Sequence, residues 1–318
     1  MAISKPLRLL LSFSLTALFV WLIFRQVQFT SIRLAFHGAN AGWISAALGA
    51  FMLGYGCRIE RWRTMLLKDN PSLKWRDCAG PLMASFAANN VLPFRAGDVL
   101  RTFAFNVRLG TTSGVVVATL LAERLLDLLM VFVFLAVALA FVDVRGFGIS
   151  TAGSAALVIA AAGMLVLLFY PDLVKPVALA GGRFAARLSP SVGHRLLGEI
   201  EKSIFTVRHL TRGRTMVRLV LWSVLAWLAE GCVYWFAAMG LPAIRAPSAS
   251  WVALPVGTLA TLIPSTPGYV GTFDYFIVQV MRDLGNTPAA TAAYALLVHA
   301  LLWVPPTIIG GVYFLSRR

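Results

Sequence analysis

Charged residues are scarce in this sequence. Only 13% of its 318 residues are Asp, Glu, Lys or Arg, against about 25% in a typical soluble domain. Hydrophobic residues make up 59% of the chain. A chain of this length could form one or two soluble domains, but it has too little charge to cover their surfaces. The scarcity excludes an ordinary soluble enzyme and a disordered protein, and the long apolar runs predict an all-α polytopic membrane protein.

Cysteine and histidine are also rare. The three cysteines, Cys57, Cys78 and Cys232, are odd in number and far apart, which excludes a disulfide scaffold. The four histidines are scattered and form no metal signature such as H-E-x-x-H. Phosphate-binding loops, nucleophile elbows and dinucleotide fingerprints are missing as well. We therefore expect no metal and no cofactor, and any transport would run downhill or on an ion gradient.

The charges that are present are mostly basic. Lys and Arg number 28 and Asp and Glu 13, which gives a formal net charge of +15. In a soluble protein this excess would suggest nucleic acid. Here the basic residues cluster between the apolar runs, where the positive-inside rule and anionic cytoplasmic lipids place them. We expect membrane lipids as partners, together with a lipid-modifying enzyme, and no nucleic acid.

The apolar runs predict six full transmembrane helices and two broken segments that do not cross. Two basic stretches, 58–77 and 171–214, are predicted to be cytoplasmic. They place both termini in the cytoplasm. We interpret 1–318 as a single integral membrane domain, with halves 1–150 and 152–318 and a basic connector at 171–214. The predicted full spans are 7–24, 43–57, 111–142, 152–170, 216–239 and 289–314, the last interrupted by Pro305 and Pro306, and the predicted broken segments are 80–94 and 251–280.

The order of these segments repeats along the chain. Two spans, a broken segment and a span occur twice, the second time in the opposite orientation. This order is typical of an inverted-topology transporter, in which the broken helices mark the binding site. An inverted repeat is therefore one interpretation of the fold, and the two breaks are the candidate headgroup site.

The first break carries amides and arginines. Arginine presents forked donors suited to phosphate, so Arg95 and Arg101 are candidates for binding a lipid headgroup. The alternative is that they are loop arginines obeying the positive-inside rule, with Asn89 as a helix-packing residue. The candidate residues here are Asn89, Asn90, Arg95, Asp98 and Arg101.

The second break is rich in proline and glycine. Ser265 or Thr266 would cap the half-helix that follows, whose N-terminus would attract an anion. The alternative is a plain loop between two short helices, but its apolar flanks favour a cavity. The candidate headgroup residues here are Ser265, Thr266, Pro267, Gly268 and Gly271.

Charged residues also lie inside the apolar runs, where burying a charge in the membrane is costly and indicates a structural or functional role. Glu123 and Asp127 share a helix face, so their repulsion would leave one of them protonated, and Arg124 could neutralise Asp127. The carboxylate pair with Arg124 predicts a proton relay or a charge balance for a headgroup. The alternative is a structural cluster of salt bridges that holds the helices together. Glu230 and Asp274 are further candidates, and Glu230 could equally be a structural hydrogen-bond partner.

Three motifs together resemble the lysylphosphatidylglycerol synthase transmembrane, or flippase-like, family. They are LPFRAGD with Arg101 at 92–101, ERLLD at 123–127 and PSTPGYVG at 264–271. The resemblance implies a lipid-handling domain that, in two-domain members, moves an aminoacylated phospholipid between leaflets. Because this chain ends just after its last span, we expect no soluble synthase domain and predict that the chain is not an enzyme.

The predicted function is translocation of a lipid with an anionic or polar headgroup across the inner membrane. Arg95 and Arg101 would hold the headgroup, and Glu123 and Asp127 would balance charge or carry a proton. Three alternatives stay open at this point. They are a proton-coupled transporter of a small solute, a membrane enzyme acting on a lipid headgroup, and a non-transporting accessory subunit of a lipid-synthesis enzyme.

Overall fold

The computed structural model describes residues 29–92, 95–141, 213–263 and 267–316, together with Trp21 and isolated positions between 159 and 183. Throughout these residues the regular structure is helical, as the sequence predicts. The predicted spans at 7–24 and 152–170, and most of the connector at 171–214, lie outside the described residues.

Nine α-helices and two 3-10 turns form the described part of the chain. The turns are Pro247–Ala249 and Pro267–Tyr269. The helices are α1 (Phe29–Ala35), α2 (Ala41–Leu66), α3 (Trp75–Val91), α4 (Ala96–Ala104), α5 (Ser113–Phe141), α6 (Arg214–Met239), α7 (Ser250–Ala260), α8 (Thr272–Asp283) and α9 (Pro288–Leu315).

Three of these helices, α5, α6 and α9, are long and apolar enough to cross a membrane. The longest, α5, has 29 residues and is therefore about 44 Å long, more than the roughly 30 Å of a bilayer's hydrocarbon core. All three match predicted spans to within a few residues. The total of six spans stays a prediction.

Helix α2 is longer than the sequence suggested. Its N-cap is Asn40, whose side chain accepts hydrogen bonds from the backbone N–H groups of Gly42 and Trp43. The prediction that the helix ends at Cys57 is wrong, because the helix continues to Leu66, and the cytoplasmic position of this end stays a prediction. Arg58 and Arg61 of the added turns pair with carboxylates of other helices.

Helices α3 and α9 approach each other at glycines. A Cβ on Gly310 of α9 would lie 2.2 Å from the Met83 carbonyl oxygen of α3, so only glycine fits there. The prediction that Pro305 and Pro306 interrupt the last span is wrong, since α9 runs through both. The two prolines remove the backbone donors that would reach the carbonyls of Leu301 and Leu302, and one residue further on Asn90 of α3 donates to the Trp303 carbonyl at 3.2 Å.

Both predicted breaks are present. Helix α3 ends at Val91 and α4 begins at Ala96, and α4 packs back against α3. Helix α7 ends at Ala260 and α8 begins at Thr272, and these two also pack together. That each pair enters and leaves the membrane on one side stays a prediction.

Candidate functional site

The two breaks meet each other in space. Arg95 donates from Nε to the Tyr269 hydroxyl at 3.1 Å. Both residues have a positive φ, 51° for Arg95 and 60° for Tyr269, and residues other than glycine seldom adopt this backbone conformation. Beside them Gly268, with φ 73°, lies so close to the Trp303 indole that a Cβ would be 2.5 Å from its Nε1. We call this contact region, formed by Asn90, Arg95, Gly268, Tyr269 and Trp303, the break junction.

Asn90 ties the first break to α9. Its Nδ2 donates to the Trp303 carbonyl at 3.2 Å and to the Thr307 hydroxyl at 2.9 Å. In return, the Trp303 indole N–H points to the Asn90 carbonyl at 3.4 Å. The Asn90 amide therefore satisfies polar groups of the helix that carries the two prolines.

Asn89 and Asp98 fasten α4 onto α3. Asn89 donates to Asp98 Oδ1 at 3.0 Å and accepts from the Asp98 backbone N–H at 3.2 Å. Arg124 of α5 pairs with the other Asp98 oxygen at 3.1 Å. Burial alone would raise the pKa of Asp98, but the charges of Arg124 and Arg101 and the Asn89 amide outweigh it and hold that pKa below its usual range. Asp98 is thus an ionised anchor.

Arg101 is committed to Glu123. The guanidinium, only 1% exposed, donates through both terminal nitrogens to the two Glu123 oxygens at 2.6 and 3.4 Å. It also lies 4.8 Å from the centre of the Trp62 ring, within the range of a cation–π interaction. Because both terminal nitrogens of the Arg101 guanidinium already donate to a carboxylate, few donors remain to bind a headgroup.

A second ion cluster connects α2, α5 and α6. Arg61, 2% exposed, donates to Asp127 at 2.8 Å and to the Ser223 hydroxyl at 3.0 Å. Arg58 pairs closely with Glu230 and lies 3.7 Å from Asp127. Glu230 thus has a charged partner, which the sequence alone did not identify.

These partners correct two expectations about α5. Arg124 does not neutralise Asp127, as its i,i+3 spacing suggested, because it pairs with Asp98 instead. Glu123 and Asp127 are not left facing each other unpaired, since each contacts its own arginine, Arg101 and Arg61. Sequence reasoning missed Arg58 and Arg61. One sequence signal was available: Arg58 and Arg61 directly follow the apolar run 43–57, and because no proline separates them from it, the helix can continue through them.

Asp274 fixes the start of α8 to α9. One oxygen accepts the Gly271 backbone N–H at 2.9 Å, where Gly271 has φ 84°. The other oxygen contacts His299 Nδ1 at 2.8 Å. His299 was missed at the sequence level, where a single histidine in an apolar run gives little signal. Ser265 and Thr266 lie outside the described residues, and Pro267 begins the 3-10 turn at the junction.

The buried charges of this region nearly cancel. Four arginines each pair with one or two of four carboxylates, and only Arg95 contacts none of the carboxylates that the structure describes. Across the same described residues, no three His, Cys, Asp or Glu side chains come close enough to hold a metal ion. Among these five arginines, Arg95 at the break junction is therefore the one without a described carboxylate partner, while Asp274 of the second break pairs with His299 rather than with an arginine. The paired residues are Arg58, Arg61, Arg101 and Arg124 with Asp98, Glu123, Asp127 and Glu230.

A curated relative corrects the prediction that the chain is not an enzyme. Glycosyltransferase AglD of Haloferax volcanii is 26% identical over 342 aligned residues, which cover 98% of this chain and 54% of that protein. The prediction is contradicted by this relative's name, which is that of a transferase. The chain spans about half the length of the curated relative that it matches.

The family comparison agrees with the motif resemblance. The model described as the lysylphosphatidylglycerol synthase TM region matches residues 7–310, which include both breaks and the ion clusters. With its apolar helices, the match makes this an integral membrane protein. The chain belongs to the lysylphosphatidylglycerol synthase transmembrane-region family.

Proposed function

We propose that this protein moves a lipid with an anionic headgroup between the two membrane leaflets, and that the headgroup passes the break junction. The observation that carries the proposal is Arg95. It is held at the meeting point of the two breaks by Tyr269, and its guanidinium is the one in the cluster without a described carboxylate partner. A guanidinium fork matches the oxygens of a phosphate.

The neighbouring ion pairs support an anion rather than a cation. An unpaired charge inside a membrane protein is expensive, and the other four arginines are neutralised by four carboxylates. An arginine that has no carboxylate partner is free to bind one phosphodiester. Broken backbone at membrane depth also has to line a cavity or pack on protein, which suits a headgroup path beside Arg95.

Several earlier expectations belong to this proposal. The chain would act as one domain in the bacterial inner membrane, with both termini in the cytoplasm and a lipid-modifying enzyme as its partner.

A transporter of small soluble solutes would need a wet path sealed from lipid. The accessory-subunit alternative requires that the buried charges can be replaced without loss of function.

Leaflet exchange in proteoliposomes tests the proposal. Purified full-length protein is reconstituted with a fluorescent anionic phospholipid or with its neutral-headgroup counterpart, and a membrane-impermeant quencher reports the accessible fraction. We expect the accessible anionic lipid to rise beyond the outer-leaflet fraction with time, and the neutral lipid to lag. Protein-free vesicles are the control. Equal and slow exchange of both lipids, as in protein-free vesicles, would contradict the proposal.

Sugar transfer to a lipid is a second candidate, which the name of the archaeal relative favours. In that case the chain itself, or the chain with a partner, would add a sugar to a lipid acceptor in the membrane. The test supplies the purified protein with a labelled nucleotide sugar and a polyprenyl phosphate and follows label in the lipid fraction. Transfer above a boiled control supports this candidate, and its absence from both the purified protein and protein-rich membranes contradicts it.

A further inference from the structure

A small cavity lies within the bundle, separate from the break junction. It has a volume of about 130 Å³ and is bounded by α2, α3, α6 and α9. Three aromatic side chains, Phe51, Tyr55 and Phe86, and the Arg58–Glu230 ion pair line it, and the remaining wall is small or aliphatic. None of the headgroup candidates from the sequence other than Glu230 touches this cavity, so it is a site in its own right.

We propose that this cavity binds one sugar ring, the carbohydrate part of a glycosylated lipid headgroup. A pyranose has apolar C–H faces that pack on aromatic rings, and hydroxyl groups around its edge that need charged or polar partners. The cavity offers both kinds of wall. The chemical class is thus a neutral polyhydroxyl ring.

The aromatic side of the cavity is a continuous cluster. The Phe51 and Tyr55 rings are 4.4 Å apart between centroids, and Tyr55 meets Phe86 edge-on at 5.2 Å. Aromatic faces and edges carry opposite partial charges, so the exposed faces can pack against the C–H groups of a sugar. Among the described residues, none hydrogen-bonds the Tyr55 hydroxyl, which leaves that group for a ligand.

The polar side of the cavity is the ion pair. Arg58 offers several donors and Glu230 several acceptors, and each has spare hydrogen-bonding capacity beyond their mutual contact. Neighbouring hydroxyls of a sugar can donate to a carboxylate and accept from a guanidinium at the same time. The pair is 14% and 19% exposed at its side chains, so it is partly open to the cavity.

Charge balance favours a neutral ligand here. Arg58 and Arg61 are offset by Asp127 and Glu230 in the same cluster, so an added phosphate would leave a buried negative charge uncompensated. The break junction differs, because Arg95 contacts none of the described carboxylates. The two sites therefore select different parts of a headgroup.

The cavity and the junction are neighbours along two helices. Phe86, in the cavity wall, and Asn90, at the junction, are four residues apart on α3 and so share one helix face. Leu302 of the cavity wall directly precedes Trp303 of the junction on α9. A phosphate at Arg95 and a sugar ring in the cavity would then belong to one phosphosugar headgroup. This link to a lipid rests on the proposed function, whereas the sugar site itself does not.

The volume agrees with a single ring. An apolar cavity of about 150 Å³ takes up benzene, and the cavity here is similar in size and partly open. A pyranose carries ring substituents that benzene lacks, so its edge hydroxyls on one side would meet Arg58 and Glu230 and the rest of the molecule would extend through the opening. A disaccharide would exceed the space.

Glycoside binding to the purified full-length protein tests the inference. The probes are a methyl glycoside and an alkyl glycoside of the same sugar, added to protein in a non-glycosidic detergent and followed by saturation-transfer NMR. A panel of common hexoses is used. We expect binding of at least one sugar, and Glu230→Gln to weaken it about tenfold, as expected when charge-assisted hydrogen bonds are lost. Ala50→Leu, which fills the cavity without changing a charge, should abolish it.

Glu60→Gln is the matched control. Glu60 lies on α2 and pairs with Arg63 at 2.8 Å, away from the cavity, so glycoside binding should stay unchanged. Tighter binding of the alkyl than of the methyl glycoside indicates a lipid-linked sugar, and equal binding indicates a free one. Absence of binding for every hexose, or binding unaffected by Ala50→Leu, overturns the inference. Leaflet exchange that still depends on Arg95 would then leave the proposed function standing.

Discussion

Replacing Asp127 with leucine is expected to lower the free energy of unfolding by about 3–5 kcal/mol, the cost of leaving a buried charge without its partner. Arg61 is 2% exposed and contacts Asp127 at 2.8 Å. Leucine would strand this guanidinium with only the Ser223 hydroxyl, whereas Arg58 would keep Glu230. Denaturant titration of the purified protein in detergent measures the change.

Asp283→Leu is the control for that measurement. Asp283 pairs with its chain neighbour Arg282 at 3.4 Å, and its side chain is 46% exposed. An exposed pair of this kind contributes little, so the change should stay within about 0.5 kcal/mol. If the Asp127 and Asp283 variants lost the same small amount of stability, the buried cluster would not be what holds α2, α5 and α6 together.

The apolar helices could be predicted well from the sequence. Helices α5, α6 and α9 follow from run length alone, because a crossing segment needs about 20 apolar residues. The breaks after Val91 and Ala260 follow from proline and glycine, which interrupt helices locally. Both signals are contained within a few neighbouring residues, so no knowledge of the packing is required.

Two helix boundaries could not be predicted in this way. Helix α2 continues beyond Cys57 although arginines follow, because carboxylates more than 60 positions away neutralise them. Helix α9 continues through Pro305 and Pro306, which the local preference of proline does not predict. For α2, tertiary partners reverse the local preference.

The sequence predicted which motif residues to examine but not how their side chains pair. The motif residues Arg95, Arg101 and Glu123 do lie in one region. The i,i+3 rule nevertheless assigned Arg124 to Asp127, whereas its partner is Asp98, 26 positions away. Side-chain spacing on one helix shows which residues share a face but not which residue of another helix they meet. For the same reason the Tyr269 contact of Arg95, 174 positions away, had no local signal.

The most direct measurement compares leaflet exchange of the anionic lipid in two variant proteins, Arg95→Gln and Arg218→Gln. Glutamine keeps a polar side chain at position 95 but removes the positive charge of Arg95. Arg218 is an exposed arginine of α6, so its variant controls for loss of one charge. Losing a charged hydrogen bond in the rate-limiting step should slow exchange about tenfold or more.

Both variants are compared at equal protein content, after confirming that their unfolding midpoints match the unmodified protein. We expect Arg95→Gln to slow exchange of the anionic lipid selectively, and Arg218→Gln to exchange it at the unmodified rate. Exchange by Arg95→Gln at the unmodified rate would contradict passage of the headgroup at the break junction.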